Sequence, residues 1–336
     1  MRTGKRGVKA GLRTLLAATA AALLAGAGCG GEDADDDPLA GFDEQVRSAT
    51  ESSAADFPAP AGRTMRELTG ELNAQAQVGL ATPTVNPGPS RLAFGVIDQA
   101  GAFVYGPTAV YVAADERSRA FGPYPAPADP LVTEPAFRSR QAASEGDIFA
   151  AIYESEPEFG DWKQAVVLTV TKGDGELIGA GTTVKVIPED EERVPVVGER
   201  VPVTDTDTTE TAPISEIETR VPPDTMHATN LADVIGERPV ALLFATPQLC
   251  ESRVCGPVTD IAAQLQEEYG DEMEFIHQEV FVDNQPAKGF RKPLVDFGLR
   301  TEPWLFVLDA DGKVTARLQG SFGVEAFEEA VQSGLN

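Results

Sequence analysis

Val240-Ala241-Leu242-Leu243-Phe244-Ala245-Thr246-Pro247-Gln248-Leu249-Cys250-Glu251-Ser252-Arg253-Val254-Cys255-Gly256-Pro257-Val258 is the stretch on which the fold turns. Its first five residues are continuously apolar, the pattern of a strand buried on both faces. Pro257 suits the first turn of a helix. Val258, Ile261, Ala262, Leu265 and Tyr269 then recur at helical spacing, so a helix with one apolar stripe follows the strand. Further on, residues 275–281 read as a second strand and 288–297 as a second helix bent near Pro293. Residues 304–308 and 314–318 form a hairpin across the Asp- and Gly-rich turn 309–313, and 323–332 close the chain as a helix. Parallel β-α-β followed by an antiparallel pair and a helix is an α/β sandwich.

The 336 residues include three cysteines. Cys29 ends a short apolar run that follows Arg2, Lys5, Arg6, Lys9 and Arg13, the layout of an export signal over 1–28. Ala25-Gly26-Ala27-Gly28-Cys29 resembles the lipobox of bacterial lipoproteins, although Gly26 departs from the usual branched residue. That resemblance implies lipid attachment at Cys29 and a place on the outer face of the cell membrane, since two acyl chains suffice for a stable anchor. Cys250 and Cys255 remain, five positions apart in an exported chain, where a disulfide between them can form and persist. They are the candidate redox pair.

A net charge of −26 argues against nucleic acid and against anionic headgroups as partners. Residues 29–57 carry many acids against the single base Arg47 and read as a disordered tether. Residues 58–187 contain a capping-box helix start at Thr64 and Glu67, then short alternating strands separated by Gly, Pro and Asp clusters, as in an all-β, immunoglobulin-like sandwich. No group of catalytic residue types is recognisable there. Residues 188–226 hold six prolines and read as a stiff, extended linker to a domain spanning 227–336.

Within that last domain the motifs resemble the thioredoxin superfamily. Cys255-Gly256-Pro257-Val258 is similar to the Cys-Gly-Pro-Cys helix start, with valine in place of the second cysteine. The segment from Phe297 to Trp304 is similar to the one carrying the cis-proline that faces the active site, which puts Pro303 there. Asp311-Gly312-Lys313-Val314 matches the final hairpin turn. The buried acid of many thioredoxins has no counterpart in 240–246, and 247–253 looks like an insertion that brings Cys250.

Cys255 lies where a helix begins, so unpaired N–H groups should lower its thiol pKa and make it the attacking nucleophile, with Cys250 resolving from upstream and Arg253 favouring the thiolate. The expected partners are exported proteins with thiols or disulfides. Two other readings stay open: a scaffold with a static Cys250–Cys255 disulfide, and a copper-delivery protein using both cysteines and a histidine. The chain has two histidines, His227 at the linker's end and His277 on a strand, where a lone histidine is usually a packing residue. Neither a resident metal nor another cofactor is expected.

Overall fold

The computed structural model describes residues 44–72, 76–143, 150–173 and 176–336. The export signal and Cys29 lie outside the described residues. No helix among the described residues is long and apolar enough to cross a membrane.

The N-terminal half is built on two main sheets. One runs Ala76–Leu80, Leu92–Asp98, Ala151–Ser155, Ala128–Pro130; the other runs Thr84–Val85, Glu176–Val186, Gln164–Gly173, Thr108–Ala113, Phe121–Pro125. The long pairs are antiparallel, while Thr84–Val85 joins its neighbour in parallel. Phe94, Val96 and Tyr153 from the first sheet share one apolar core with Val110, Val112, Val167 and Val184 from the second. The alternation along each strand is what turns these side chains to the common side.

The folded part begins before residue 58, contrary to the expected tether. Residues 44–57 include a helix, Glu44–Ala49, and a short 3-10 turn, Ala54–Asp56, and Val46, Ala49 and Phe57 are buried. Three apolar anchors in an otherwise acidic stretch are enough to bind it to the sheets, and Ser52 Oγ accepts the Thr108 N–H at 3.0 Å. Composition averaged over 29–57 hides them.

The C-terminal elements are β1 (Val240–Phe244), α1 (Cys255–Tyr269), β2 (Glu274–Gln278), α2 (Lys292–Asp296), β3 (Trp304–Leu308), β4 (Val314–Gln319) and α3 (Val324–Leu335). The sheet order is β2-β1-β3-β4, with β1 and β2 parallel and β3 antiparallel to both β1 and β4. That order and direction are those of a thioredoxin-like fold. α2 is only five residues long and Pro293 sits in its first turn, so the expected long bent helix is replaced by two 3-10 turns and a short helix. Proline there starts a helix instead of kinking one.

Residues 188–226 are not a free spacer. They strap across the C-terminal sheet: Val194 and Val201 join the core of Leu231, Leu242, Phe244 and Phe306. Gly198 donates to the Val314 carbonyl and Val314 donates to Glu199, both at 2.8 Å, which covers the exposed edge of β4. Prolines tolerate this role because an edge-pairing segment needs only some of its N–H groups.

Sandwich and thioredoxin-like halves also pack on each other. Asp129 accepts the N–H groups of Glu325 and Ala326 at 3.0 and 2.9 Å, capping α3, whose own cap residue Gly323 has no side chain to do so. Gly256 lies so close to the loop 139–141 that an added Cβ would stand 2.4 Å from the Gln141 carbonyl oxygen. The glycine of the Cys-Gly-Pro motif is therefore needed here for close packing.

Candidate active site

β1 is apolar on both faces because it is the centre of the sheet, covered by α1 on one side and by the Phe244, Phe297 and Phe306 cluster on the other. Its carboxyl end leads into a loop that closes through Cys250 N–H to Thr246 O at 3.1 Å and Arg253 N–H to Cys250 O at 3.3 Å. Arg253 turns the chain with φ 63° and is exposed. Helix α1 then starts at Cys255 itself.

The sulfurs of Cys250 and Cys255 and a carboxylate oxygen of Glu302 lie within 4.8 Å of one another, and both cysteines are thiols in this structure. Cys250 is 8% exposed and Cys255 is 0% exposed. Glu302 precedes Pro303, and the bond between them is cis, as the family resemblance implied. The Pro303 carbonyl is engaged by the Gly320 N–H at 2.9 Å.

The two thiols shift in directions opposite to the expectation. The Cys250 thiol is pulled down to about 6: the Cys255 side chain hydrogen-bonds to it, burial opposes, and Ser252 with the N–H groups of Cys255 and Val254 help. Ser252 Oγ lies 3.2 Å from the sulfur. Burial pushes the Cys255 thiol well above its ordinary value, with the hydrogen bond to Cys250 acting in the same direction. The leading cause is the hydrogen bond from the Cys255 thiol, and the helix start adds a smaller one. The unpaired N–H groups of a first turn point back out of the helix end, toward the preceding loop. They meet the sulfur of Cys250, whereas the Cys255 side chain turns inward to the core.

Glu302 is the residue that sequence reasoning missed. Burial first, and the Cys250 charge second, push its carboxyl up to about 8. It approaches the Cys250 sulfur at 4.0 Å and hydrogen-bonds with the Cys255 side chain. A half-buried acid is thus present beside the pair, supplied from the loop before β3 instead of from β1. Its position next to the motif proline was the available signal.

The copper arrangement of two cysteines and a histidine is not assembled among the described residues. His227 and His277 are buried together with Glu218 and Asp224, a group separate from the sulfurs and Glu302.

No protein-family model matches the chain, and no curated protein matches it. Among solved structures, it is similar to a thioredoxin-family thiol:disulfide interchange protein from Chlorobium tepidum TLS at 15% identity. That match covers 41% of this chain and 96% of the other, with a TM-score of 0.29. A Chlorobium tepidum chain named as a candidate thiol:disulfide interchange protein DsbE matches at 17% identity over 42% of this chain and 99% of its own, with a TM-score of 0.31. Likeness at that level carries no argument about this chain; the thioredoxin-like assignment rests on strand order and direction.

Proposed function

We propose that this chain exchanges disulfides with thiol- or disulfide-bearing exported proteins through Cys250 and Cys255, with Cys250 as the nucleophile. What supports the reading is the meeting of the Cys250 and Cys255 sulfurs with Glu302 at the start of a helix, where the Cys255 side chain first, and the N–H groups of Cys255 and Val254 after it, lower the Cys250 thiol to about 6. The Cys250 thiolate attacks a partner disulfide, forming a mixed disulfide and releasing one partner thiolate, which takes a proton from water. Attack discharges Cys250 and so removes one of the three causes that raise the Glu302 carboxyl, burial, the Cys250 charge and Glu251, and Glu302 releases its proton to solvent. Glu302 then accepts the Cys255 thiol proton. The Cys255 thiolate attacks the Cys250 sulfur, expels the second partner thiolate, which takes the proton from Glu302, and leaves the Cys250–Cys255 disulfide. Two electrons have passed to the partner, and a dithiol reductant resets the pair; the steps run backward for an oxidant.

The test is a redox titration of the full chain against a graded glutathione or dithiothreitol poise, with the disulfide counted by mass. One reversible two-electron couple between Cys250 and Cys255 is expected, within the range of about −120 to −270 mV spanned by exchange proteins. A bridge that stays closed below about −300 mV is a static staple and overturns the proposal.

A further inference from the structure

The only two histidines in the chain, 50 positions apart in sequence, meet in the fold with ring centroids 5.0 Å apart. Two carboxylates face them. His227 Nε2 lies 3.2 Å from Glu218 Oε2 and 3.8 Å from Asp224 Oδ1; His277 Nδ1 lies 2.9 Å from Asp224 Oδ2 and 3.4 Å from Glu218 Oε2. All four side chains are 0–1% exposed. We infer that Glu218, Asp224, His227 and His277 form a binding site for one divalent transition cation of the zinc class, apart from the cysteine pair.

Three observations carry this beyond a cluster of charges. The first is spacing. A zinc ion with N and O ligands at about 2.0–2.1 Å in a tetrahedron sets those ligands about 3.3 Å apart, and the four separations scatter around that edge. The second is the support behind His277, Glu218 and Asp224. His277 Nε2 lies 3.1 Å from the Ala245 carbonyl oxygen, so an N–H there donates to it and leaves Nδ1 to face the carboxylates. A second ring N–H anchored on a backbone carbonyl is the usual backing of a metal-binding histidine. Glu218 Oε1 accepts the Arg220 N–H at 2.6 Å and Asp224 Oδ1 accepts the Met226 N–H at 2.8 Å, which aims both carboxylates. The third is that His227 Nδ1 is buried with no hydrogen-bond partner, so every polar commitment of that ring is to the cluster.

The charge of the donor set suits a divalent cation: with both imidazoles deprotonated as ligands, the two carboxylates sum to −2 in a dry place. Without a cation, burial pulls His277 down but Glu218 and Asp224 raise it well above its ordinary value, so the cation displaces a proton. Glu218 and Asp224 lie on the strap, His227 directly follows it and His277 is on β2, so the cation joins strap to sheet, one step from Thr246 where the cysteine loop begins.

The experiment uses the full chain carrying Cys250→Ser and Cys255→Ser, so that no thiolate competes, with zinc and cobalt as probes. One zinc per chain is expected by equilibrium dialysis, with a rise in Tm that chelator reverses. Cobalt should give tetrahedral ligand-field bands without a thiolate charge-transfer band. Adding Glu218→Gln or His277→Gln is expected to weaken zinc by on the order of 100-fold or more. The inference is overturned if the double cysteine variant takes up no stoichiometric metal, or if cobalt reports only thiolate ligation in the unsubstituted chain. Failure of the redox proposal alone leaves these readings unchanged, because the sulfurs are absent from the test.

Discussion

With Cys255→Ser, the chain is expected to accumulate as a mixed disulfide with its partner, joined through Cys250. With Cys250→Ser it is expected to trap nothing, and exchange should fall by on the order of 1,000-fold or more. The asymmetry follows from access and charge together. Cys250 is nearly buried but keeps 8% exposure and has its thiol lowered to about 6, whereas Cys255 is fully enclosed and its thiol is raised. Serine at 255 leaves nothing to attack the Cys250 sulfur from behind, so the adduct persists. Glu302→Gln should permit the first attack but slow resolution, because no carboxylate remains to take the Cys255 proton. The adduct is expected in the membrane fraction, and Cys29→Ser should release it, as the lipobox-like run implies. Mass spectrometry of the adduct decides the assignment: a trap through Cys255 in the Cys250→Ser chain contradicts it.

The largest stability effect is expected at Arg220. Its Nε donates to Asp260 Oδ1 at 2.8 Å, and its other nitrogens reach the Pro222 and Phe137 carbonyls at 2.8 and 2.6 Å. The two side chains are 6% and 1% exposed. Asp260 also accepts from the N–H and hydroxyl of Ser139, at 3.0 and 3.1 Å. One guanidinium therefore ties the strap, helix α1 and the loop 137–141 of the other half together. Arg220→Met removes the positive partner and leaves the Asp260 carboxyl buried with only the Ser139 donors. Breaking such a pair from one side costs about 3–5 kcal/mol. Urea unfolding of Arg220→Met, compared with Arg220→Met/Asp260→Leu, checks this: the double variant should recover a large part of the loss. A single variant within about 0.5 kcal/mol of the parent, the range of ordinary surface changes, contradicts it.

What could be read in the residues was local. Continuous apolarity marked β1, and the structure pairs it on both sides. Asp309 and Gly312 marked the hairpin turn, where Asp309 Oδ1 accepts from Asp311 and Lys313 at 2.9 Å and Gly312 takes φ 76°. Thr64 and Glu67 marked a helix start, and they form the reciprocal cap. What escaped was set by tertiary geometry. Counting prolines in 188–226 could not show that Val194 and Val201 find a core, or that Gly198 and Glu199 find the edge of β4. The helix-end argument could not decide between the two sulfurs, because which cysteine faces the N–H groups depends on how the loop folds back. Glu302 reaches the sulfurs from 47 positions beyond Cys255, and the histidines reach each other through strap and strand, distances over which spacing carries no signal.

The most direct measurement is the pH profile of Cys250 alkylation in the reduced chain, followed residue by residue by mass spectrometry. A group whose pKa is lowered is charged over a wider range, so its reactivity should already be high at neutral pH. The expected profile has its midpoint near pH 6 for Cys250, with no modification of Cys255 until unfolding. Cys255→Ala, which deletes the hydrogen bond that does most to lower Cys250, should move the midpoint up toward the ordinary thiol value of about 8.5. A Cys250 midpoint near that ordinary value in the unsubstituted chain, or faster labelling of Cys255 than of Cys250, contradicts the account.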